Sequence, residues 1–399
     1  MSFLIAILLA WLALLAGLLL AWRKPLLALW REPVFRAPIL IVESDDWGAG
    51  PLAQAEALAA IAERLARQRD ASGRPAVMTL ALVLAMPEPA MAPGNPWRRR
   101  TLADPALQPI LEAIRAGQAR GVFALQLHGM EHFWPESLLA AAREKPEVAA
   151  WLAAPDLTEH LPSPLQSRWT DAAVLPSRPH SPPAVEAAVA EETRLYADLF
   201  GAVPEVVVPP TFVWNREVEA AWAAHGVQVI ITPGRRLTCR DAAGRPAGVD
   251  KTMRNGERGE GGVVYLVRDD YFEPSFGHRP EQALAALARK TALGRPCLLE
   301  THRGNFLAAA GGNLETAMAA LDALYAQALR DFPMLRFASC AGLARAIREN
   351  DPAWIEQARR RRLAFWLRRA AGVPRFGRLA RVLGLFALLA PFAARKQDG

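Results

Sequence analysis

An α/β fold, specifically a (β/α) barrel with seven strands as the expected number, is what three features of the 399-residue sequence predict. Short runs of β-branched or large apolar residues recur along the chain, each bounded by polar or Gly/Pro-containing stretches. Between them lie longer segments whose apolar residues return every three or four positions, the spacing of an amphipathic helix. No Gly-x-Gly-x-x-Gly follows the first strand, which argues against an open dinucleotide-binding sheet. In such a fold parallel strands end on one rim, where residues distant in sequence can share a pocket.

The elements follow in order. The strand Ile39 to Trp47 leads into a helical stretch from Pro51 to Arg69, and the strand Ala76 to Leu84 into a helix from Pro105 to Ala119. After the strand Val122 to His128, the segment Phe133 to Ser181 is rich in Pro and Trp and only partly helical, and at a catalytic rim such a length suits a lid or substrate wall. The alternation resumes with Ala184 to Phe200, Glu205 to Pro209, Asn215 to Ala224 and Val227 to Thr232. Thr238 to Gly262 reads as a surface excursion. Val263 to Val267, Pro280 to Leu293, Cys297 to Glu300, Leu314 to Arg330, Leu335 to Ser339 and Ala341 to Arg348 complete the pattern, so a barrel spans 37–350.

The two ends differ from this body. Phe3 to Trp22 carries no charge and is long enough to cross a hydrocarbon core, giving a transmembrane anchor over 1–24. No basic residue precedes it, unlike a cleaved signal peptide, and Arg23, Lys24, Arg31 and Arg36 follow it. The flanking charges favour a single pass in the inner membrane with the body on the cytoplasmic side. From Arg345 onward there are 13 Lys+Arg against 4 Asp+Glu, leaving 34 against 36 before it, so the formal charge of +7 belongs to the tail. Residues 351–399 read as a basic amphipathic segment suited to anionic membrane lipid, since its Arg residues are interleaved with Leu, Phe and Trp. Nucleic acid is not an expected partner, because no recognition motif accompanies the charge. Cys239, Cys297 and Cys340 are too scattered for a disulfide framework or a cysteine zinc site.

Four strand exits carry polar motifs, at Glu43 to Gly48, His128 to His132, Val208 to Asn215 and Glu300 to Phe306. His128 and His132 lie four apart and on a helical turn would share a face, able to ligate one ion. Asp45 and Asp46 can both reach a pocket only at a strand-to-loop turn, since along a strand they would face opposite ways. One carboxylate and two imidazoles form a three-ligand set with open positions, suited to a divalent metal, Zn²⁺ above all. The second Asp is then free as a general base, and His302 at another exit is a candidate general acid.

This order of motifs resembles the polysaccharide deacetylases of the NodB-homology type over roughly Ile39 to Ser339. The resemblance implies that Asp45 is the base, that Asp46, His128 and His132 hold the metal, and that His302 is the acid. It implies hydrolysis of an amide, with N-acetyl groups removed from a polysaccharide or lipid-linked sugar. Ser44 stands where the family has an aromatic residue, and Trp47 is inserted before Gly48. The family's Arg-x-Pro after the fourth strand is replaced by Val208-Pro209-Pro210-Thr211, leaving Arg303 as a substitute for the arginine that steadies the base. Asp269 or Asp270 is the expected orienter of His302. Trp47, Trp214, Asn215, Arg303 and Asn305 are candidates for holding sugar, the tryptophans by stacking and Asn215 equally as a helix cap. Two other classes remain open: a glycoside hydrolase pairing Asp45 with Glu43 or Glu131, and a membrane-tethered glycan-binding protein without catalysis.

Overall fold

The computed structural model describes residues 2–393. Its main sheet is parallel throughout, with strands β1 (Ile39–Gly48), β2 (Met78–Val83), β3 (Phe123–Gly129), β4 (Val206–Val207), β5 (Val229–Thr232), β6 (Val264–Val267), β7 (Asp270–Tyr271), β8 (Cys297–His302) and β9 (Arg336–Phe337). Hydrogen bonding runs in the order β6-β5-β4-β3-β2-β1-β8-β7, and β9 pairs with the start of β1. Eight strands therefore curl into a half-barrel, where seven in a barrel were expected. β6 and β7 form the two ends of this path yet are separated by two residues, Arg268 and Asp269, so the chain itself steps across the seam.

Side-chain alternation explains what the curl encloses. Along β1, Leu40 and Val42 join the outer core against the helices, whereas Ile39 and Ile41 join an inner cluster with Ala81, Val206, Val229, Ile231, Leu266 and Leu298. Cys340, Leu343 and Ala344 of the helix Cys340–Glu349 pack into that inner cluster, and Cys297 lies in the outer core. Continuing the same face upward gives Glu43 and Asp45 on β1 and Glu300 and His302 on β8. The interior is thus apolar at the strand starts and ionisable at the strand ends.

Helix bounds follow the sequence pattern closely, for example Pro182–Phe200 and Leu314–Asp331. The excursion after β5 holds an unforeseen antiparallel hairpin, Arg235–Arg240 with Pro246–Thr252. At the N-terminus, helix α1 (Ser2–Ala21) is long and apolar enough to cross a membrane, a test that a signal sequence also passes. Helix α2 (Arg23–Arg31) follows it, and the chain then docks at the strand starts, where Phe35 N donates to Gly294 O and Arg295 pairs with Glu32 at 2.7 Å. The C-terminal helices, beginning with Arg359–Ala371, pack on α1 and α2 through Leu15, Leu18, Leu26, Ala370, Phe376, Ala380 and Leu385. Of the basic segment, 394–399 lies outside the described residues.

Candidate functional site

Two bulges shape the rim. On β1, Ser44 pairs with Leu80 and Trp47 with Leu82, so the strand carries one extra residue there, and Asp46 sits at φ 72°. An extra residue breaks the in-and-out alternation, which is why adjacent Asp45 and Asp46 both face the pocket. On β3, Leu127 pairs with Leu82 but Gly129 with Val83, leaving His128 as the extra residue. His128 and His132 are brought together by this bulge and the bend after Gly129 (φ 115°), with ring centroids 4.8 Å apart; the helical turn expected there does not form.

His128 Nε2 and His132 Nε2 lie 3.4 and 3.3 Å from Asp46 Oδ1. His128 Nδ1 is 2.8 Å from Val208 O, which accepts its proton and leaves Nε2 with its lone pair facing Asp46. Asp46 Oδ1 is buried without a hydrogen-bond partner. Three ligand atoms around a tetrahedral ion with bonds of about 2.1 Å would stand about 3.4 Å apart, so this trio fits a divalent ion. Burial lowers the pKa of His132 to about 4, against the pull of Asp46, keeping the imidazole in the neutral form a metal requires. Burial would raise the Asp46 carboxyl, but the imidazoles of His132 and His128 outweigh it and hold it well below the usual range.

Asp45 is steadied by Arg268, which the sequence did not single out. Its Nη1 and Nη2 donate to Asp45 Oδ1 and Oδ2 at 2.9 and 2.6 Å, and Nη1 also meets Glu43 Oε2 at 3.4 Å. Nε lies 3.2 Å from Glu300 Oε2. One buried guanidinium thus faces three carboxylates, and the ring of Phe212 lies 5.1 Å from its centre. Burial pushes Asp45 up, yet the charge and two hydrogen bonds of Arg268 bring it below its ordinary value. The loop after β4 supplies Phe212, while the guanidinium arrives from the seam after β6.

Arg303, the expected substitute, is buried and pairs with Glu159 at 3.1 Å rather than with Asp45. That pair fastens the Phe133 to Ser181 segment to the rim, where Glu159, His160 and Gln166 line the pocket as the wall anticipated from its length.

His302 Nδ1 is 2.6 Å from Glu273 Oε1. Burial alone would lower this imidazole, but the hydrogen bond to Glu273 and the charges of Asp46, Glu273 and Asp45 raise it to about 10. Asp269 and Asp270 do not orient it. Asp269 is bonded to Lys290 and Asp270 to Arg289, both on the helix Pro280–Ala292 outside the barrel. The orienting carboxylate lies three residues beyond Asp270; its signal in the sequence is only a Glu in the loop that carries those acids.

Other candidates for holding sugar are corrected likewise. Trp47 is fully buried and donates to Ser44 Oγ at 2.7 Å, and Trp214 is fully buried and donates to Glu219 at 3.2 Å. Asn215 caps the helix Arg216–Ala224 through Val218 N. Asn305 lines the pocket, but its carbonyl accepts from Ser275 and its amide donates to Glu273, Thr301 Oγ1 and His302 O, making it a bracket for Glu273 and His302. Glu43 lies beneath the rim, and Glu131 is buried between Arg99 and Arg168, so neither faces Asp45 across an open cleft. The cavity above the trio measures about 450 Å³, and its rim includes Phe276, which is 81% exposed.

The fold and site together define a parallel half-barrel with a candidate metal centre at its strand ends. No family model and no curated protein matches the chain. Among solved structures it is similar to a putative polysaccharide deacetylase from Mycobacterium smegmatis, at 13% identity over 80% of this chain and 94% of that one, TM-score 0.42. It is similar to a family 4 carbohydrate esterase from Streptomyces lividans in complex with acetate, at 11% identity over 76% and 92% with TM-score 0.34. A 4-alpha-glucanotransferase from Thermococcus litoralis matches at 10% identity over 78% of this chain and 40% of that one, TM-score 0.40. Identities this low concern the fold alone.

Proposed function

We propose that the protein is a metal-dependent hydrolase that removes N-acetyl groups from a glycan. The observation that carries this reading is the convergence at one rim of Asp46, His128 and His132 with a guanidinium-held Asp45 and a carboxylate-held His302. A divalent ion held by Asp46, His128 and His132, with Zn²⁺ favoured by two imidazoles and one carboxylate, would supply Lewis acidity toward the acyl oxygen and a water. Asp45, kept ionised by Arg268, would take the proton from the attacking water. His302, its Nδ1–H donated to Glu273, passes a proton from Nε2 to the departing nitrogen as the C–N bond breaks and a C–O bond forms, leaving acetate and an amine. Phe276 offers a face on which a sugar ring can stack.

The test is elemental analysis of the detergent-purified chain together with acetate release from N-acetylated oligosaccharides before and after chelation. One divalent ion per chain and chelator-sensitive release are expected, with both lost in Asp46→Ala, His128→Ala and His132→Ala. Full activity in any of those variants, or after complete chelation, would falsify the assignment.

A further inference from the structure

Away from the rim, at the strand starts, a cavity of about 620 Å³ lies between α2 and the turn 254–258. Lys24 and Arg31 line it from α2, and Arg254 and Arg258 from the turn. None of these four cations has a side-chain hydrogen bond or ion pair among the described residues, whereas most buried arginines of this protein are committed to carboxylates or carbonyls. The two acids present do not balance them. Glu32 is held by Arg295 and Arg369, and Glu257 lies 4.0 Å from Lys251. Four cations facing one cavity repel one another unless an anion joins them, and nothing among the described residues does so.

The turn is placed firmly. Gly256 has φ 77°, its N–H donates to Tyr265 O, and a Cβ there would come within 2.7 Å of Pro33. Arg254 and Arg258 are therefore delivered to α2 by a packed turn, not by a loose loop. The position relative to α1 then indicates the ligand. The apolar helix ends at Ala21, Trp22 is followed at once by Arg23 and Lys24, and Leu27, 51% exposed, lines the same cavity. With α1 in a bilayer, Lys24 falls within about one helical turn of the hydrocarbon edge, at headgroup depth, and Arg31 about two turns further along α2.

We propose that this cavity binds the phosphate of an anionic lipid headgroup, its phosphodiester oxygens meeting Lys24, Arg31, Arg254 and Arg258 and its glycerol region resting on Leu27. The site is independent of the hydrolase reading, since it lies at the opposite end of the strands.

The test uses the full chain in uncharged detergent micelles at fixed ionic strength, titrated with short-chain phosphatidylglycerol, short-chain phosphatidylcholine or inorganic phosphate, with thermal unfolding as the readout. Phosphatidylglycerol should raise the unfolding midpoint saturably, and phosphatidylcholine should not. The triple variant R31Q/R254Q/R258Q removes only groups without side-chain partners among the described residues, so it should fold, and it should weaken the phosphatidylglycerol response roughly a hundredfold, at about fivefold for each cation near an anionic headgroup. A control of equal charge, R120Q/R143Q/R330Q, should respond like the unchanged protein. An equal response to inorganic phosphate would overturn the lipid as ligand, and an unaltered response in the triple variant would overturn the site.

Discussion

At the scale of single residues, Arg268 has the most to lose. It pairs with Glu43, Asp45 and Glu300 in a buried setting, and removing one partner of a buried charge set leaves the others poorly compensated. Arg268→Met should destabilise the protein by about 3–5 kcal/mol, read from urea unfolding. It should also reduce acetate release by about a hundredfold or more by letting Asp45 become protonated near neutral pH. Wild-type turnover in a folded Arg268→Met protein would remove Arg268 from the site's chemistry. His302 gives a pH prediction. Its folded pKa, about 10, is raised above an ordinary imidazole value, so its stabilising interaction is fully present below about pH 6.5 and is lost as pH rises toward 10. In chelator-treated protein the stability gap between wild type and His302→Gln should therefore narrow as pH climbs through that window, measured by thermal unfolding. Glu273→Gln should move the alkaline limit of activity to lower pH, because the hydrogen bond and charge that hold the proton are weakened. An unmoved limit would show that Glu273 does not act through His302.

At the scale of elements, the bulges on β1 and β3 do what two ordinary strands could not. They turn neighbouring side chains toward one pocket, and each is followed by a glycine at a positive φ, Gly48 at 116° and Gly129 at 115°. A Cβ on Gly48 would lie 2.3 Å from Val83 O, a backbone atom that cannot swing aside. Gly48→Ala should therefore lower stability by about 1–3 kcal/mol and reduce metal content, because relaxing the clash shifts the strand that carries Asp46. Unfolding midpoints and metal analysis on the same preparation check both outcomes, and unchanged values in both would show that the bulge tolerates the side chain.

Across the whole molecule, the N-terminal helices and the C-terminal helices meet at the strand starts. Arg369 is buried there and donates to the carbonyls of Glu32, Pro33, Leu293 and Gly294, joining the C-terminal helices to α2 and to the segment before β8. Burial lowers its pKa to about 10, which leaves it charged at neutral pH. Arg369→Ala should destabilise the protein by about 3 kcal/mol and make the C-terminal helices more susceptible to protease than the barrel, as limited digestion would reveal. The candidate site opens at the other end of the strands, on the side away from α2.

The sequence by itself determined most of the strand and helix succession, though not the hairpin Arg235–Arg240 with Pro246–Thr252, because apolar periodicity is local and each element's partner face is written into it. It also determined the pairing of Asp45–Asp46 with His128 and His132, whose motifs stand at strand exits. Only the tertiary structure decided which arginine meets Asp45 and which carboxylate meets His302. Arg268 is 223 residues from Asp45, and Glu273 is 29 from His302; both reach their partners because the sheet curls until its two edges share a seam. Tertiary packing also withdrew Trp47 and Trp214 from the pocket, since a tryptophan beside a motif carries no mark of whether its ring faces solvent or core. Side-chain partners across a curled sheet depend on distances that local spacing does not encode, which is why the candidate groups that meet at the rim were legible and their supports were not.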